Sequence, residues 1–375
     1  MKNGEKKNQM KNKKIDKKLL SAILTLTVFG LVMIASAGVI YSKTRFGESG
    51  YFFKHQLLYG FIPGLLILYF FQRTDYHFWK KMAFPAIIGS LFFLILVFVP
   101  GIGSEVYGAN RWINLGPISF QPSEMAKISL IIYLAVWFES KGKQKIKDIY
   151  EGLFPFLGIL GIISFLVIKQ PDTGTMGAII MIAMSIFFVS GARLSHIFGL
   201  IIAALTGLMI LIKIEPYRMN RLLTFMNPEV DPQGIGYQIN QALLAIGSGG
   251  IFGLGLGHSR QKFNYLPEPI GDSIFAVIGE ELGLVGAIFL ILLFVVVAFR
   301  GYRIAKNAPD EFGKLMAVGI TSWIVFQAFI NIAAISGIIP LTGIPLPFVS
   351  YGGTSLIFLM AGAGILLNIS KQTKI

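Results

Sequence analysis

The chain has 375 residues, of which 54% are hydrophobic and only 14% are charged. That composition excludes an ordinary water-soluble domain and is typical of a membrane protein with many spans. The formal net charge of +14 could suggest a nucleic-acid partner. The basic residues lie in short segments between apolar runs, however, which argues against nucleic acid and for contact with membrane lipids.

Ten runs of apolar residues come close to the length of about 20 residues that a bilayer requires. They cover residues 19–41, 55–72, 82–99, 122–138, 152–168, 174–192, 194–213, 273–299, 313–335 and 348–369. The sequence therefore predicts an all-α polytopic membrane protein with ten transmembrane helices and a long external loop between helices 7 and 8. The first run is too long for a signal peptide and no clear cleavage site ends it, so we expect a retained helix.

The basic residues define the orientation. Eight lysines lie in the first 18 residues, and more follow in alternate loops, near Lys80, from Lys141 to Lys147 and from Arg300 to Lys306. Loops rich in Lys and Arg face the cytoplasm. An even number of spans then puts both termini there. We predict a basic cytoplasmic tail at 1–18, a single membrane domain at 19–370 and a second cytoplasmic tail at 371–375.

Cysteine is absent, and the four histidines have no metal-ligand spacing. Disulfides and thiolate sites are therefore excluded, and we expect no histidine metal site. Two external segments stand out, at about 100–121 and 214–272. Long loops are usually functional or disordered. The second is rich in aromatic residues, Gln and Gly, so we expect an ordered external cap in which 236–246 forms a short amphipathic helix at the membrane interface.

Asp272 is the most informative residue, because it places one carboxylate where the long external segment meets an apolar helix. It fits a general base or an anion site at the outer surface. It equally fits the N-cap of the helix that starts near Ser273. Glu280 and Glu281 lie about 12–14 Å further along the same helix. For these two, a structural hydrogen bond is slightly favoured over a functional role.

Other polar residues recur at the expected outer ends of spans. Glu124 and Lys127 share a helix face at i, i+3 and form either a buried packing pair or one wall of a cavity. Arg111 and Trp112 in the first external segment suit a phosphate contact and an interface anchor. The remaining candidates are outer arginines and a polar turn, namely Arg218, Arg221, Lys169 and Asp172.

Two irregular segments have simpler interpretations. The glycine run from Gly247 to Gly257 lacks the GKS or GKT of a phosphate loop, so close backbone packing is the better explanation. The segment from Pro340 to Tyr351 is a broken external stretch before the last span. Irregular backbone at that depth is buried in protein or lines a cavity.

These segments together resemble the SEDS family (shape, elongation, division and sporulation proteins). The resemblance covers most of the chain and rests on blocks that start at Gly108, Gln121, Gln170, Gly236, Leu266, Asp272 and Pro347. Within the family, residues 255–268 and Phe348 are more similar to FtsW-type division proteins than to RodA-type elongation proteins. The sequence departs from the family pattern at Ile270-Gly271, Ser273, Thr173 and Thr354, and none of these changes removes a charge.

The resemblance implies a peptidoglycan glycosyltransferase that polymerises lipid II at the outer face of the bacterial cytoplasmic membrane during cell division. It places the essential aspartate at Asp272, with a class B penicillin-binding protein and other divisome proteins as partners. The expected substrate-binding residues are Arg111, Trp112, Glu124, Lys127, Lys169, Asp172, Arg218, Arg221 and Glu268. The expected structural residues are Glu280, Glu281, Ser350 and Tyr351.

Three alternatives stay open at this point: a lipid II flippase, a RodA-type elongation polymerase and a non-catalytic scaffold. No cofactor is certain, and a divalent cation, Mg²⁺ or Mn²⁺, is an open option beside the diphosphate. Paired polar groups at the bilayer midplane would favour transport. The clustering of polar residues on the outer face favours surface chemistry.

Overall fold

The computed structural model describes residues 14–106, 109–116 and 118–373, which are mostly helical. The helices are α1 (Lys17–Phe46), α2 (51–73), α3 (Phe78–Leu96), α4 (Pro122–Ile146), α5 (Ile149–Lys169), α6 (Thr173–Val189), α7 (Leu194–Ile214), α8 (Pro216–Met226), α9 (Ile235–Ser248), α10 (Ile274–Lys306), α11 (Glu311–Ile335) and α12 (Gly353–Gln372). Helix α2 contains a π-helical turn, and α5 begins with one. Residues 1–13 and 374–375 of the predicted tails, and Gly108 of the first external segment, lie outside the described residues.

Among the described residues, seven helices are long and apolar enough to cross a membrane: α1, α3, α5, α7, α10, α11 and α12. The prediction of a mostly helical polytopic membrane protein is confirmed at that level. The other three predicted spans correspond to α2, α4 and α6. Helix α2 is interrupted by its π turn, α4 carries charged residues near both ends, and α6 has only 17 residues.

Helices α11 and α12 form the centre of the molecule. Their apolar windows are 72% and 83% buried, whereas that of α7 is 0% buried. Helix α12 packs on α2, and α11 packs on α10, α6 and α4. Small residues allow this close packing, since a side chain at Gly362 would contact Trp323. Polar side chains on α11 are therefore surrounded by protein instead of lipid.

The first external segment corrects the all-α prediction. Residues 100–121 contain an antiparallel three-stranded sheet, with β1 (Gly103–Val106), β2 (Ala109–Leu115) and β3 (Ile118–Phe120) in sequence order. Trp112 faces Ser104 across the first pair of strands. In β2, Ile113 is buried and Asn114 is exposed, the alternation of a strand with one covered face. This alternation spans only a few residues, so it is a weaker signal in the sequence than the long apolar runs of the helices.

The second external segment is ordered and contains α8 and α9. The predicted helix at 236–246 is present as α9, and it packs along α10. Its C-terminal residue is followed by Gly249, where a Cβ would come within 1.9 Å of Gly279 O. Gly279 lies about 8 Å along α10 from Ile274. Helix α9 therefore runs beside the first turns of α10, and its predicted place at the membrane interface stays a prediction.

Helix α10 is broken at Gly283, which has φ 65° and ψ −162°. The freed groups bond with the glycine-rich run: Leu254 N–H donates to Glu280 O at 2.9 Å, and Leu284 N–H donates to Gly250 O at 2.9 Å. A Cβ at Gly253 would lie 2.2 Å from Glu281 O. This pairing satisfies backbone groups beside a helix break, as a membrane protein requires. Close backbone packing is thus the role of the glycine run, as predicted.

Candidate active site

Asp272 lies in a turn immediately before α10. Ser273 occupies the N-cap position of that helix without a side-chain cap hydrogen bond, so the predicted capping role of Asp272 is absent. The Oδ1 atom is enclosed and has no hydrogen-bond partner among the described residues. The Oδ2 atom meets Gln238 Nε2 at 3.5 Å, which is a weak contact. The carboxylate is therefore enclosed but weakly bonded, which leaves it available to a ligand.

The surroundings of Asp272 raise its pKa from 3.8 to about 6. Burial is the largest cause, and the negative charge of Glu268 adds to it. The Gln238 hydrogen bond and the positive charge of Arg221 act in the opposite direction. Desolvation disfavours the charged form of a carboxyl, so this pKa moves towards the range suited to a base at neutral pH.

Four enclosed polar atoms without partners surround this turn in the described part of the chain. They are Asp272 Oδ1, Arg221 Nε, Asn331 Oδ1 and Thr342 Oγ1. All belong to, or contact, the segment at 341–344: Arg221 Nη1 donates to Leu341 O at 3.2 Å, and a Cβ at Gly343 would lie 3.9 Å from Asp272 Oδ2. Buried polar groups are normally paired. Several unpaired ones together indicate a place for a polar ligand.

The three outer arginines have different environments. Arg218 donates to Leu211 O and to the Tyr217 hydroxyl, both at 3.3 Å, so its guanidinium is engaged within α7 and α8. Arg221 keeps Nε unpaired. Burial lowers the pKa of Arg221, and Arg111 lowers it further, while Tyr217 and Asp272 raise it. Of these arginines, Arg221 has the clearest capacity to bind an added anion.

Arg111 connects β2 to the turn between α5 and α6. It donates from Nε to Gln170 O at 2.9 Å and from Nη2 to Pro171 O at 2.5 Å. The Tyr217 hydroxyl donates to the same Pro171 carbonyl at 3.2 Å. Arg111 of the sheet and Tyr217 of α8 therefore bond to the same carbonyl oxygen. Arg111 uses its Nε and Nη2 groups for these contacts with the turn.

The other residues of this turn have separate positions. Asp172 caps α6 by accepting from Thr175 N–H at 3.0 Å. Lys169 is exposed, and its ammonium lies 5.7 Å from the Phe165 ring centre. Trp112 is half-buried in β2, where its carbonyl accepts from Ser104 Oγ at 3.3 Å. These contacts explain local structure, and none of them reaches Asp272 directly.

Glu124 and Lys127 form a deeply buried pair at the start of α4. The Lys127 ammonium donates to Glu124 Oε1 at 2.7 Å and to Gln327 Oε1 at 2.8 Å, and it lies 5.0 Å from the Trp323 ring centre. Both side chains are 2% exposed or less. Of the two interpretations offered by the sequence, the contacts match the packing pair.

The turn that carries Asp272 is held from several sides. Glu268 accepts from the Tyr41 hydroxyl at 3.1 Å. Ser350 Oγ donates to Gly271 O at 2.7 Å, and Tyr351 N–H donates to Ile270 O at 2.8 Å. Ser350 and Tyr351 therefore contact the two residues that precede Asp272.

Glu280 and Glu281 fasten the glycine-rich segment to α10. Glu280 accepts from Ser259 Oγ at 2.5 Å and from Arg260 N–H at 2.8 Å. Glu281 accepts from Ser36 Oγ at 2.7 Å and from Lys262 Nζ at 2.8 Å. Both carboxylates are buried and paired, which agrees with the preference for structural hydrogen bonds.

Sequence reasoning missed three amide side chains near the site. Gln238 contacts Asp272 and donates to Ser273 Oγ at 3.1 Å, and Gln327 and Asn331 reach the site from α11. Two amides at i, i+4 inside an apolar span are a detectable signal, because polar groups within a membrane helix usually have a partner or a function.

No group of three or more His, Asp or Glu residues suited to a metal ion occurs in the described ranges. At the site, the negative charge of Glu268 acts on Asp272. A carboxylate such as that of Glu268 matches the preference of Mg²⁺, which takes one or two carboxylates together with water and phosphate.

Comparisons with known proteins show which family the chain is similar to. The profile of a family described as "Cell cycle protein", covering FtsW, RodA and SpoVE, matches residues 17–375. The chain is 42% identical over 367 residues to stage V sporulation protein E of Bacillus subtilis (strain 168), covering 97% of this chain and 100% of that protein. It is 41% identical over 356 residues to a probable peptidoglycan glycosyltransferase FtsW of Geobacter sp. (strain M18), covering 95% and 96%.

Two solved structures share the fold. One is a chain from a structure that concerns the structural coordination of polymerization and crosslinking by a peptidoglycan synthase complex. It has a TM-score of 0.77 and 27% identity, covering 95% of this chain and 97% of its own. The other is the rod shape determining protein RodA of Thermus thermophilus, with a TM-score of 0.70 and 27% identity, covering 96% and 98%.

Proposed function

Because the chain belongs to the FtsW, RodA and SpoVE family of cell cycle proteins, that is, the SEDS family, we propose that it is a peptidoglycan glycosyltransferase. It polymerises lipid II into glycan strands at the outer face of the bacterial cytoplasmic membrane during cell division, with Asp272 as general base. One observation carries the proposal. The Asp272 carboxylate is held at the mouth of α10 among unpaired polar atoms, with a pKa raised to about 6.

The proposed topology has ten spans, with α2, α4 and α6 added to the seven apolar helices. The charges of α4 fit because Glu124 and Lys127 neutralise each other inside the protein. Both termini and the basic loops then lie in the cytoplasm. The sheet, α8 and the Asp272 turn lie outside, where lipid II would be presented, and the division septum is the expected location.

The proposed reaction is an inverting displacement. The acceptor sugar 4-hydroxyl gives its proton to Asp272 as its oxygen attacks the anomeric carbon of the donor. The bond from that carbon to the polyprenyl diphosphate breaks, and the diphosphate leaves with the bonding electron pair. Attack from the opposite face turns an α-linked diphosphate into a β-1,4 bond, as in inverting glycoside chemistry. A positioned base contributes about 10²–10⁴ in rate.

The leaving diphosphate needs cationic stabilisation, and Arg221 is the residue best placed to give it. Its Nε–H is unpaired, and Asp272 and Arg221 are close enough to affect each other's pKa. A bidentate guanidinium contact suits a diphosphate. When bound, Mg²⁺ or Mn²⁺ would supply further positive charge at the diphosphate, held by the diphosphate oxygens and the Glu268 carboxylate, which leaves Asp272 free to act as base.

The proposed partner is a class B penicillin-binding protein, together with other divisome proteins. The support is the similarity to a chain from a peptidoglycan synthase complex. The division role itself rests on the FtsW-type relatives, while a sporulation protein of similar identity shows that members of this family also act at another stage. Depletion of the protein separates these roles: filamentous cells indicate division, and unchanged growth with defective spores indicates sporulation.

Transport of lipid II is a weaker alternative. A broken helix such as α10 is a feature of transporters. Here, however, the backbone groups freed at Gly283 bond with the segment at 250–255. The break is therefore filled by protein, which leaves the unpaired Asp272 turn as the better candidate for function.

The decisive experiment supplies purified protein in vesicles with fluorescent lipid II, with and without a penicillin-binding protein whose transpeptidase is blocked. Wild type and Asp272→Ala are compared on a gel that resolves glycan strands, with and without added Mg²⁺ or Mn²⁺. We expect strands from the wild type, and loss of at least about 100-fold of the rate in Asp272→Ala.

Asp231→Ala is the matched control. Asp231 is another carboxylate of the same outer segment, and its oxygens accept from Gly234 N–H at 3.0 Å and Ile235 N–H at 2.9 Å. We expect it to keep polymerising. Unchanged polymerisation by folded Asp272→Ala would refute the assigned base, and equal loss in Asp231→Ala would point to general damage of the outer segment.

A further inference from the structure

Two amide side chains on one face of α11 connect that helix to the Asp272 turn and to the irregular segment before α12. Asn331 donates one N–H to Asp272 O and the other to Ile344 O, both at 2.8 Å. Gln327, one turn away, donates to Pro345 O at 3.0 Å. We call Gln327 and Asn331 the amide ladder.

The orientation of both amides is fixed by their partners. Asn331 faces two carbonyl oxygens, which only accept, so its nitrogen must point towards them. Gln327 Oε1 faces the Lys127 ammonium at 2.8 Å and the Trp323 indole N–H at 2.9 Å, which only donate. Neither amide can rotate by 180° without placing like groups together. The amide ladder is therefore a defined structure.

The ladder links the site to the core of the molecule. Asn331 is 1% exposed and Gln327 is 0% exposed. Through Gln327, the buried Glu124–Lys127 pair of α4 is connected to Pro345, next to the carbonyl that Asn331 binds. The turn at Asp272 is thus bonded to the most enclosed helices of the described chain, in addition to its contacts with Ser350 and Tyr351.

This backbone contact matters because the Asp272 side chain is poorly held. One carboxylate oxygen has no partner in the described ranges, and the other has a 3.5 Å contact with Gln238. The position of the carboxylate is consequently set by its own backbone. That backbone is fixed from the protein side by the Asn331 hydrogen bond to the Asp272 carbonyl.

We propose that Asn331, supported by Gln327, is a positioning residue that holds Asp272 at the distance and angle needed to take a proton from the acceptor hydroxyl. This role rests on the proposed polymerase activity. Asn331 touches no reacting atom, and it acts through the Asp272 carbonyl. Loss of near-attack geometry by about 1 Å costs on the order of 100-fold in rate, even when the changed residue lies outside the chemistry.

The test replaces Asn331 by Leu, which has a similar size and no hydrogen-bonding group. We expect kcat for lipid II polymerisation to fall by about 100-fold with little change in KM, because substrate contacts remain. The pH dependence of the residual activity should also differ from that of wild type, because the Asp272 turn loses the hydrogen bond that fixes its carbonyl.

Asn368→Leu is the matched control. Asn368 is also a buried asparagine of a central helix, and it joins α12 to α2 and the following loop by accepting from Tyr76 N–H at 2.9 Å and donating to Gln72 O at 2.9 Å. It has no link to Asp272. We expect lower thermal stability in both variants and a rate within about twofold of wild type for Asn368→Leu only.

A second variant covers failure of Asn331→Leu to fold. Asn331→Asp keeps the shape and can donate at most one hydrogen bond, so at least one carbonyl loses its partner. It too should lose rate with an unchanged KM. Rates of folded Asn331 variants equal to wild type, or an equal loss in Asn368→Leu, would overturn the positioning role.

A readout without turnover separates this role from the proposed function. A carbodiimide modifies protonated carboxyls, and mass spectrometry locates the adduct on Asp272. We expect the midpoint of labelling against pH to move in Asn331→Leu and to stay at the wild-type value in Asn368→Leu. If wild-type protein makes no strands, the polymerase proposal fails, and the labelling midpoint still decides whether Asn331 governs the Asp272 environment.

Discussion

Two aspartates precede long membrane helices at opposite ends of the molecule, and their environments differ. Asp310 precedes α11, and both of its oxygens are used. Oδ1 accepts from Gly313 N–H at 2.7 Å, while Oδ2 accepts from the Tyr76 hydroxyl at 2.5 Å and meets His77 Nε2 at 2.8 Å. Asp272 precedes α10 and leaves Oδ1 without a partner in the described part of the chain.

The two environments shift the pKa values in opposite directions. Burial raises the pKa of Asp310, but hydrogen bonds from Tyr76, Gly313 and His77 outweigh it, and the net pKa is lowered. Burial raises the pKa of Asp272 to about 6 with little hydrogen bonding to oppose it. A carboxylate whose hydrogen bonds are complete stabilises the fold. One that is enclosed without them weakens the fold and is available for chemistry.

The largest expected difference follows from replacing each aspartate by asparagine. Asp272→Asn should reduce polymerisation by about 10²–10⁴, because the base is removed, without loss of stability. Asp310→Asn should keep its rate per folded molecule and lose about 1–3 kcal/mol of unfolding free energy through the cap and the Tyr76 hydroxyl. Strand synthesis and thermal unfolding measure the two effects.

The comparison fails if the two effects are exchanged. Rate loss in folded Asp310→Asn would show that the contacts of Asp310 with Tyr76 and His77 take part in turnover. A large stability loss in Asp272→Asn would show that the unpaired oxygen has a structural partner in solution.

The arginines offer the next largest contrast. Arg221→Gln should lower the polymerisation rate by about 10²–10³ if its free N–H stabilises the leaving diphosphate. Arg300 forms a buried pair with Asp16, with Nε donating to Oδ2 at 2.7 Å. Arg300→Gln should instead cost about 3 kcal/mol of stability, because it leaves the Asp16 charge unpaired. A strand assay normalised to folded protein separates the two, and equal rate losses would refute the assignment of Arg221.

Stability should respond to pH with opposite signs at the two aspartates. The folded pKa of Asp272 is raised, which means that the protonated carboxyl stabilises the folded protein. This stabilisation is fully present below the usual pKa of 3.8 and is lost as pH rises through about 6. The folded pKa of Asp310 is lowered, so its contribution is present above 3.8 and is lost as pH falls through the folded value.

These signs are measurable as melting temperatures relative to wild type. Asp272→Asn should be more stable than wild type near pH 7, and the difference should disappear near about pH 3, where the carboxyl is protonated in both the folded and the unfolded protein. Asp310→Asn should be destabilised most near pH 7 and less as the solution becomes acidic. Parallel curves for the two variants would contradict the opposite shifts.

The sequence contained enough to predict a polytopic helical protein and to single out Asp272. Hydrophobic length and the rarity of charge in membrane helices report burial in lipid, and both are local properties. The all-α prediction was wrong for the loop at 100–121, which contains strands. Around Ile113, buried and exposed residues alternate over only a few positions. Short alternation is a weak signal beside long apolar runs.

Other features depend on contacts between distant parts of the chain. The position of α9 beside α10 requires Gly249 to meet Gly279, and the break at Gly283 is stable only because Leu254 and Gly250 supply hydrogen bonds. The roles of Asn331 and Arg221 likewise depend on segment 341–344, which lies more than 100 residues from Arg221. Spacing in the sequence cannot reveal such pairings.

The smallest expected effect concerns Lys169, predicted from the sequence to bind substrate. Its side chain is exposed and lies 5.7 Å from the Phe165 ring centre, whereas Arg111 is bonded to the backbone of the α5–α6 turn. An exposed, flexible ammonium contributes little to a fixed site, so Lys169→Gln should change KM and stability by no more than about twofold and 0.5 kcal/mol. Arg221→Gln, which removes the same charge from the enclosed position, is its reference. A rate loss for Lys169→Gln as large as that for Arg221→Gln would extend the anion site to the outer surface, and it would show that exposed charge also stabilises the leaving diphosphate.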